Sequence, residues 1–297
     1  MAYVDGIVIT GNSSKDIDSV VQQLHNNQIK YITEILHKTG ITAASTTPTP
    51  MVSTPKLVTS DGNPPLADGH LYRGIVGMLQ YMCITCPDLS FCVNKLSQYM
   101  NSPSDTHWKA VKRVLRYLIG TTGHGLCLSK GQFELVCYSD VDWASSFEDR
   151  RFTISYVVFL RLYFIAWCSK KQAVVSRSSS EAEYHSLANC VSELLWVKYL
   201  LDKIGMPLCQ SPVVWCDNTS TASMVANPLH HARVKHIEID HYFVRKRVLN
   251  GTLQANFVPS KKQVADVFTK PITPKQFASF RHALQVLLSY DDLFFLF

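Results

Sequence analysis

The chain has 297 residues, 46% of them hydrophobic, and a formal net charge of +6. That is length for one large domain or two ordinary ones, with enough apolar content for a sizeable core; the mild basicity is compatible with a polyanionic partner without pointing to one. The nine cysteines are odd in number and scattered apart from Cys83 and Cys86, which argues against a disulfide scaffold. Cys92, Cys137 and Cys190 lie in apolar runs and read as buried, reduced thiols of an intracellular protein, cytoplasmic or nuclear. No apolar stretch reaches the ~18 residues that span a bilayer, and the opening MAYVDGIVITG lacks the basic start of a secretory signal, so no membrane partner is expected.

In chain order, residues 1–45 contain a short apolar run and a helical segment, SVVQQLHNNQIKYITEILHKTG. Residues 46–69, TTPTPMVSTPKLVTSDGNPPLADG, are turn-rich and read as a linker or an extended surface segment. Three helical stretches follow, LYRGIVGMLQYM, PDLSFCVNKLSQYM and THWKAVKRVLRYLIG; the last presents a basic face of Lys109, Lys112, Arg113 and Arg116 beside Trp108. From 131 the pattern changes. FELVCYSD, FTISYVVFL and YFIAWCS alternate as strands, the last two as a hairpin. SSSEAEYHSLANCVSELLWVKYLLDKIG is a long helix closed by Gly205. PVVWCDN is a strand, STASMVANP a short helix stopped by Pro228, HHARVKHIEIDHYFVRKRVLNG a helix closed by Asn250-Gly251, TLQANFVP a strand, and KKQVADVFTK a last helix. Three strands followed by alternating helices and strands predict a mixed sheet flanked by helices.

On these elements the carboxylates fall into a pattern. Asp140 ends the first strand, Asp217 ends the fourth, and Asp266 opens the last helix. The long helix carries Glu181 and Glu183 near its start. Ligand sites in open α/β sheets gather at the carboxyl ends of strands. Four carboxylates gathered there cannot all stay ionised without a cation, and hard oxygen ligands suit Mg²⁺ or Mn²⁺. Two such ions would form the clamp used in phosphodiester hydrolysis. Turn and cap chemistry alone also places Asp at such positions. Helical register separates the two glutamates. Below Glu183 come Leu187, Cys190, Val191, Leu194 and Leu201, an apolar stripe that must face the sheet. Below Glu181 come His185, Ala188, Ser192 and, further on, Leu195, a more polar line. Glu183 is therefore the expected ligand, and Glu181 the expected cap.

The motifs YSDVDWA, EDRRFT, WCSKKQAVVSRSSSEAEY, ELLWVKYLL, VVWCDNTSTASMVANP, HHARVKHIEIDHYFVR and QVADVFTKP, in that order and spacing, resemble the ribonuclease H domain of copia-type LTR retrotransposon Pol polyproteins. The resemblance covers about residues 131–280. It implies a ribonuclease H-like fold with a mixed five-stranded sheet flanked by helices, and hydrolysis of the RNA strand of RNA–DNA hybrids with two divalent ions (Mg²⁺ or Mn²⁺) and no small-molecule cofactor. The family's metal-binding acids carry over to Asp140, Glu183, Asp217 and Asp266. Where cellular relatives have a histidine before the last aspartate, this chain has Ser260-Lys261-Lys262.

Residues 1–130 resemble the reverse-transcriptase tail that precedes this domain: YVDGIVITG is similar to the YVDD hairpin of a polymerase palm. Gly6 replaces the second aspartate, leaving Asp5, so no polymerase activity is expected. The expected organisation is a palm remnant over 1–45, a linker and helical connection over 46–130, a ribonuclease H-like domain over 131–280 and a tail over 281–297. Candidate nucleic-acid contacts are Arg177, Asn218, Arg233, Lys235, His236, Arg245, Lys261 and Lys262, which would neutralise phosphates or meet sugar hydroxyls. The family's hairpin usually has small residues where this chain has Phe152, Ile154, Ser155 and Arg161-Leu162. A tight turn wants glycine or asparagine, so that turn must be longer, strained or repaired. The rival readings are a catalytically inactive nucleic-acid-binding remnant of a decayed element and, more distantly, an integrase-type nuclease of the same superfold.

Overall fold

The structure, a computed structural model, describes residues 14–128, 134–143, 146, 148–161, 163–219, 238–288 and 294–296. Asp5, Gly6 and the expected short helix ending at Pro228 lie outside them. The chain divides into two compact units, residues 1–129 with 271–297, and residues 130–270. No helix among the described residues is long and apolar enough to cross a membrane.

The first unit is mostly helical: α1 (Ser14–Thr39), α2 (Gly69–Met82), α3 (Ser90–Ser97), α4 (Asp105–Thr121) and α7 (Pro274–Ala283). Each helix buries one apolar stripe. Tyr72, Ile75, Val76, Leu79 and Met82 do so from α2, and Val111, Val114, Leu115 and Leu118 from α4. The Thr- and Pro-rich segment is no free linker but is bonded along its length. Arg116 Nε donates to Ser45 O at 2.7 Å, Arg113 Nη2 to Thr49 Oγ1 at 2.9 Å, and Tyr99 Oη to Leu57 O at 2.7 Å. Two cations of the α4 basic face are thus engaged in holding it. Helix α7, placed by the sequence within the nuclease domain, belongs to this unit, where Phe277 meets Tyr117 edge-on with ring centroids 5.7 Å apart. The carboxyl-terminal residues, read from sequence as an exposed tail, supply two short strands. β7 (Val286–Leu288) and β8 (Phe294–Leu296) flank β1 (His124–Leu128) in an antiparallel sheet.

The second unit holds a five-stranded sheet of β2 (Leu135–Asp142), β3 (Thr153–Leu160), β4 (Tyr163–Lys171), β5 (Val213–Cys216) and β6 (Gln254–Phe257) in the order β4-β3-β2-β5-β6. The first three strands run antiparallel to their neighbours; β5 joins β2, and β6 joins β5, in parallel. Helix α5 (Ser179–Lys203) packs on the sheet, and α6 (Glu238–Leu249) on α5. The stripe below Glu183 enters the core as the register requires: Leu187, Cys190, Val191 and Leu194 pack with Leu135, Cys137, Val158 and Val214. Cys137 and Cys190 face one another in this core, their Cα atoms 7.1 Å apart. Gly205 and Gly251 close α5 and α6 at φ +77° and +68°, the left-handed position that favours glycine.

Leu160 pairs with Tyr163 across the β3–β4 hairpin, and Arg161 opens the turn between them. Arg161 takes φ +63°, a conformation that costs an L-residue roughly 1–2 kcal/mol. Its amide donates to Glu134 O at 2.6 Å. Of the sequence-derived options, the turn is strained. Arg161→Gly is expected to raise stability by about 0.5–1 kcal/mol after glycine's own entropy cost. The change would be read as a higher urea midpoint at constant slope; no rise would mean that the turn carries no strain.

Candidate metal centre

Parallel pairing explains why two aspartates meet. The β2–β5 register sets Ser139 beside Cys216, so the next residue along each chain brings Asp140 next to Asp217; Asp217 stands just past the end of β5, whereas Asp140, expected to end its strand, lies within β2 and pairs with Ser155. Glu183 arrives one turn into α5. The helix is pinned there by Ser186, whose Oγ donates to Asp140 O at 2.9 Å and lies 2.9 Å from Ser139 Oγ. Carboxylate oxygens of Asp140, Glu183 and Asp217 lie within 4.8 Å of one another. Three hard oxygen donors at that spacing fit a divalent cation of the Mg²⁺ or Mn²⁺ type.

Glu181 is engaged elsewhere. It accepts the Arg177 amide at 2.7 Å, while its own amide donates to Ser178 Oγ at 3.2 Å, a reciprocal cap of α5.

Asp266 reaches the same rim by a route the sequence reading missed. KKQVADVFTK is not an α-helix but two 3₁₀ turns, Ser260–Lys262 and Val264–Phe268. Side chains from the sheet fasten the second turn. Ser155 Oγ donates to Ala265 O at 3.1 Å, and Ser169 Oγ to Phe268 O at 2.6 Å. Gln263 Nε2 donates to Ser139 O at 2.9 Å, and Gln263 Oε1 accepts the Ala265 amide at 3.3 Å. Ser155 therefore helps position Asp266. Just beyond it, the Thr269 hydroxyl donates to Asp140 Oδ2, and Lys270 Nζ lies 2.7 Å from Asp266 Oδ1 and 3.8 Å from Asp140 Oδ2. The only sequence signal for this lysine was its spacing, four residues after Asp266.

Burial and mutual repulsion dominate the electrostatics. Burial pushes Asp140 up to about 8, with Asp266 and Asp217 adding to the rise and Lys270 opposing it. Burial likewise carries Glu183 to about 9, helped by Asp140 and Asp217. Asp266 is raised by burial against the pull of Lys270. Lys270 is itself raised: burial opposes its charge, but Asp140 and Asp266 outweigh it. Without a cation the cluster holds protons at neutral pH, the condition a bound divalent ion would relieve.

Of the expected nucleic-acid contacts, Lys261 and Lys262 are exposed on the first 3₁₀ turn, next to Ser260, whose Oγ donates to Asp217 Oδ2 at 3.2 Å. Asn218 follows Asp217 directly, and Arg177 is exposed just ahead of α5. Arg245 is half-buried on α6, the helix on which Asp240 pairs with His185 at 3.0 Å. Arg233, Lys235 and His236 lie outside the described residues.

Strand order, helix placement and the acid-bearing edge define a ribonuclease H-like α/β domain. No family model matches the chain. It is 42% identical over 315 aligned residues to the retrovirus-related Pol polyprotein from transposon RE2 of Arabidopsis thaliana, covering 97% of this chain and 22% of that protein. Against the corresponding polyprotein from transposon TNT 1-94 of Nicotiana tabacum it is 32% identical, over 86% of this chain and 20% of that one. Among solved structures, LC11-RNase H1 isolated from compost aligns at 13% identity and a TM-score of 0.37, over 46% of this chain and 94% of that one; the fold assignment rests on the strand order. The chain belongs to the copia-type retrovirus-related Pol polyproteins of transposons, and it spans about a fifth of the length of these curated relatives.

Proposed function

We propose that this chain carries a ribonuclease H-type endonuclease that hydrolyses the RNA strand of RNA–DNA hybrids with two divalent cations. The observation that carries this reading is the convergence of Asp140, Glu183 and Asp217 within 4.8 Å at one sheet edge, with Asp266 alongside on its 3₁₀ turn. Bound Mg²⁺ would supply an activated water and stabilise the leaving oxygen. The chain's own residues hold and orient: Asp140 and Asp217 from adjacent strands, Glu183 from the helix start, Asp266 from the turn. Lys261, Lys262 and Arg177 would neutralise phosphates of a bound strand, and Asn218 would meet a sugar hydroxyl, the group that marks RNA. Membership of the Pol family and the hard-oxygen donor set support the assignment.

The test is cleavage of a labelled RNA–DNA hybrid by the full chain with Mg²⁺ and with chelator. Metal-dependent cutting of the RNA strand is expected, and Asp217→Asn is expected to lower the rate at least ~100-fold, the loss typical of removing a group that stabilises developing charge. A hybrid retained but never cut would favour an inactive binding remnant instead.

A further inference from the structure

We propose that Lys270 is a resident cation of the acid cluster, occupying the place where a second divalent ion must sit, so that two ions bind unequally and in order. The inference rests on the two-cation reading above and deepens it. The lysine engages only one side of the cluster. Its ammonium lies 2.7 Å from Asp266 Oδ1 and 3.8 Å from Asp140 Oδ2, whereas the group within 4.8 Å is Asp140, Glu183 and Asp217. Asp140 is common to both. One cation can therefore enter among Asp140, Glu183 and Asp217 while the lysine stays in place. A second, drawing on Asp140 and Asp266, meets an ammonium already in contact with Asp266 and 3.8 Å from Asp140.

The two partners differ in their freedom to move. The side chains of Asp140 and Asp266 are 3% and 5% exposed, and that of Lys270 is 39% exposed. Asp140 is held by the Thr269 hydroxyl, and Asp266 is carried on a turn whose main chain is fastened by Ser155, Ser169 and Gln263. The lysine has a flexible four-carbon stem and a route to water. Displacing it leaves both carboxylates where they are, so the second ion competes with a tethered charge instead of assembling a site from disordered parts. The lysine also supplies the compensation that a buried pair of carboxylates requires when the second ion is absent.

The test is titration of the full chain with Mn²⁺, following heat and free metal by electron paramagnetic resonance, in wild type, Lys270→Gln and Lys270→Arg, each checked for folding by circular dichroism. The wild type is expected to bind one ion more tightly than a second. Lys270→Gln should tighten the second ion about tenfold or more, by removal of a like charge at contact distance, and shift the first by no more than about threefold. Lys270→Arg, which keeps the charge and grips carboxylates through a planar fork, should leave the second ion as weak as in wild type or weaker. Should the glutamine variant fail to fold, an arginine variant whose second ion binds tighter than in wild type would overturn the proposal. So would equal second-ion affinities in wild type and Lys270→Gln, with the two-cation reading left intact. Failure of the wild type to bind Mn²⁺ at all would remove that reading and this inference together.

Discussion

Glu183→Gln is expected to lower hybrid cleavage at least ~100-fold, while Glu181→Gln leaves it within about twofold and costs ~0.5–2 kcal/mol of stability. The two residues are neighbours on one helical turn, yet their surroundings assign them different work. Glu183 joins Asp140 and Asp217 in the carboxylate group. Glu181 accepts the Arg177 amide at 2.7 Å and belongs to the helix cap. Neutralising Glu183 removes an anionic donor from the cation site, and since burial already keeps that carboxyl protonated when no cation is bound, the variant should be no less stable than wild type in chelator. Neutralising Glu181 weakens a charge-assisted bond at the positive end of the helix. Measuring cleavage rate and urea midpoint on both variants tests the pair; the opposite pattern, with Glu181 essential for cutting and Glu183 dispensable, would overturn the site.

A second large effect is expected from pH. Asp140 and Glu183 are raised to about 8 and about 9, chiefly by burial, with Asp266 and Asp217 adding to the rise of Asp140, and Asp140 and Asp217 to that of Glu183, whereas in the unfolded chain such carboxyls titrate near ~4. Between those values the folded chain keeps protons that the unfolded chain has released. Stability therefore falls as pH rises from about 4 toward 9, and it is undiminished by these groups below about 4. In chelator, the loss between about pH 5 and about pH 8 should exceed ~1 kcal/mol. Millimolar Mg²⁺ should restore most of it at the upper pH and little at the lower, where protons compete for the same oxygens. Asp88 is also raised by burial, but it lies outside the cluster and its contribution should not respond to Mg²⁺. Thermal melts across this range with and without the ion measure the difference; a Mg²⁺ response that does not grow with pH would contradict the placement of these charges.

Much of the second unit was legible because its signals are local. Alternation in VCYSDVD and ISYVVFL marks strands with one face on the core, and the spacing of Leu187, Cys190, Val191 and Leu194 fixes which face of α5 packs inward. That register also separated Glu183 from Glu181. What the sequence concealed depends on partners distant along the chain. The residues around Asp266 have helical spacing, yet they form 3₁₀ turns because Ser155, Ser169 and Gln263 compete for their backbone groups. Lys270 looked like an ordinary residue ahead of a proline until the fold set it against Asp266. The Pro-rich segment after residue 45 carries no periodicity, and its order comes from bonds to Arg113, Arg116 and Tyr99. The pairing of β7 and β8 with β1 joins residues more than 150 positions apart, a distance across which alternation gives no information about partners.

The seryl hydroxyls at this rim have a consequence for how the protein withstands mutation. Ser186, Ser155 and Ser169 tie α5, β3, β4 and the Asp266 turn to main-chain oxygens, and a hydrogen bond specifies direction while filling almost no space. The aim of the four acids is thereby uncoupled from the fill of the Leu187–Leu201 layer behind them. Interior residues can drift in size, at a cost in melting temperature, while the carboxylates keep their bearing; an unselected copy of such a chain would lose its robustness before it lost its alignment.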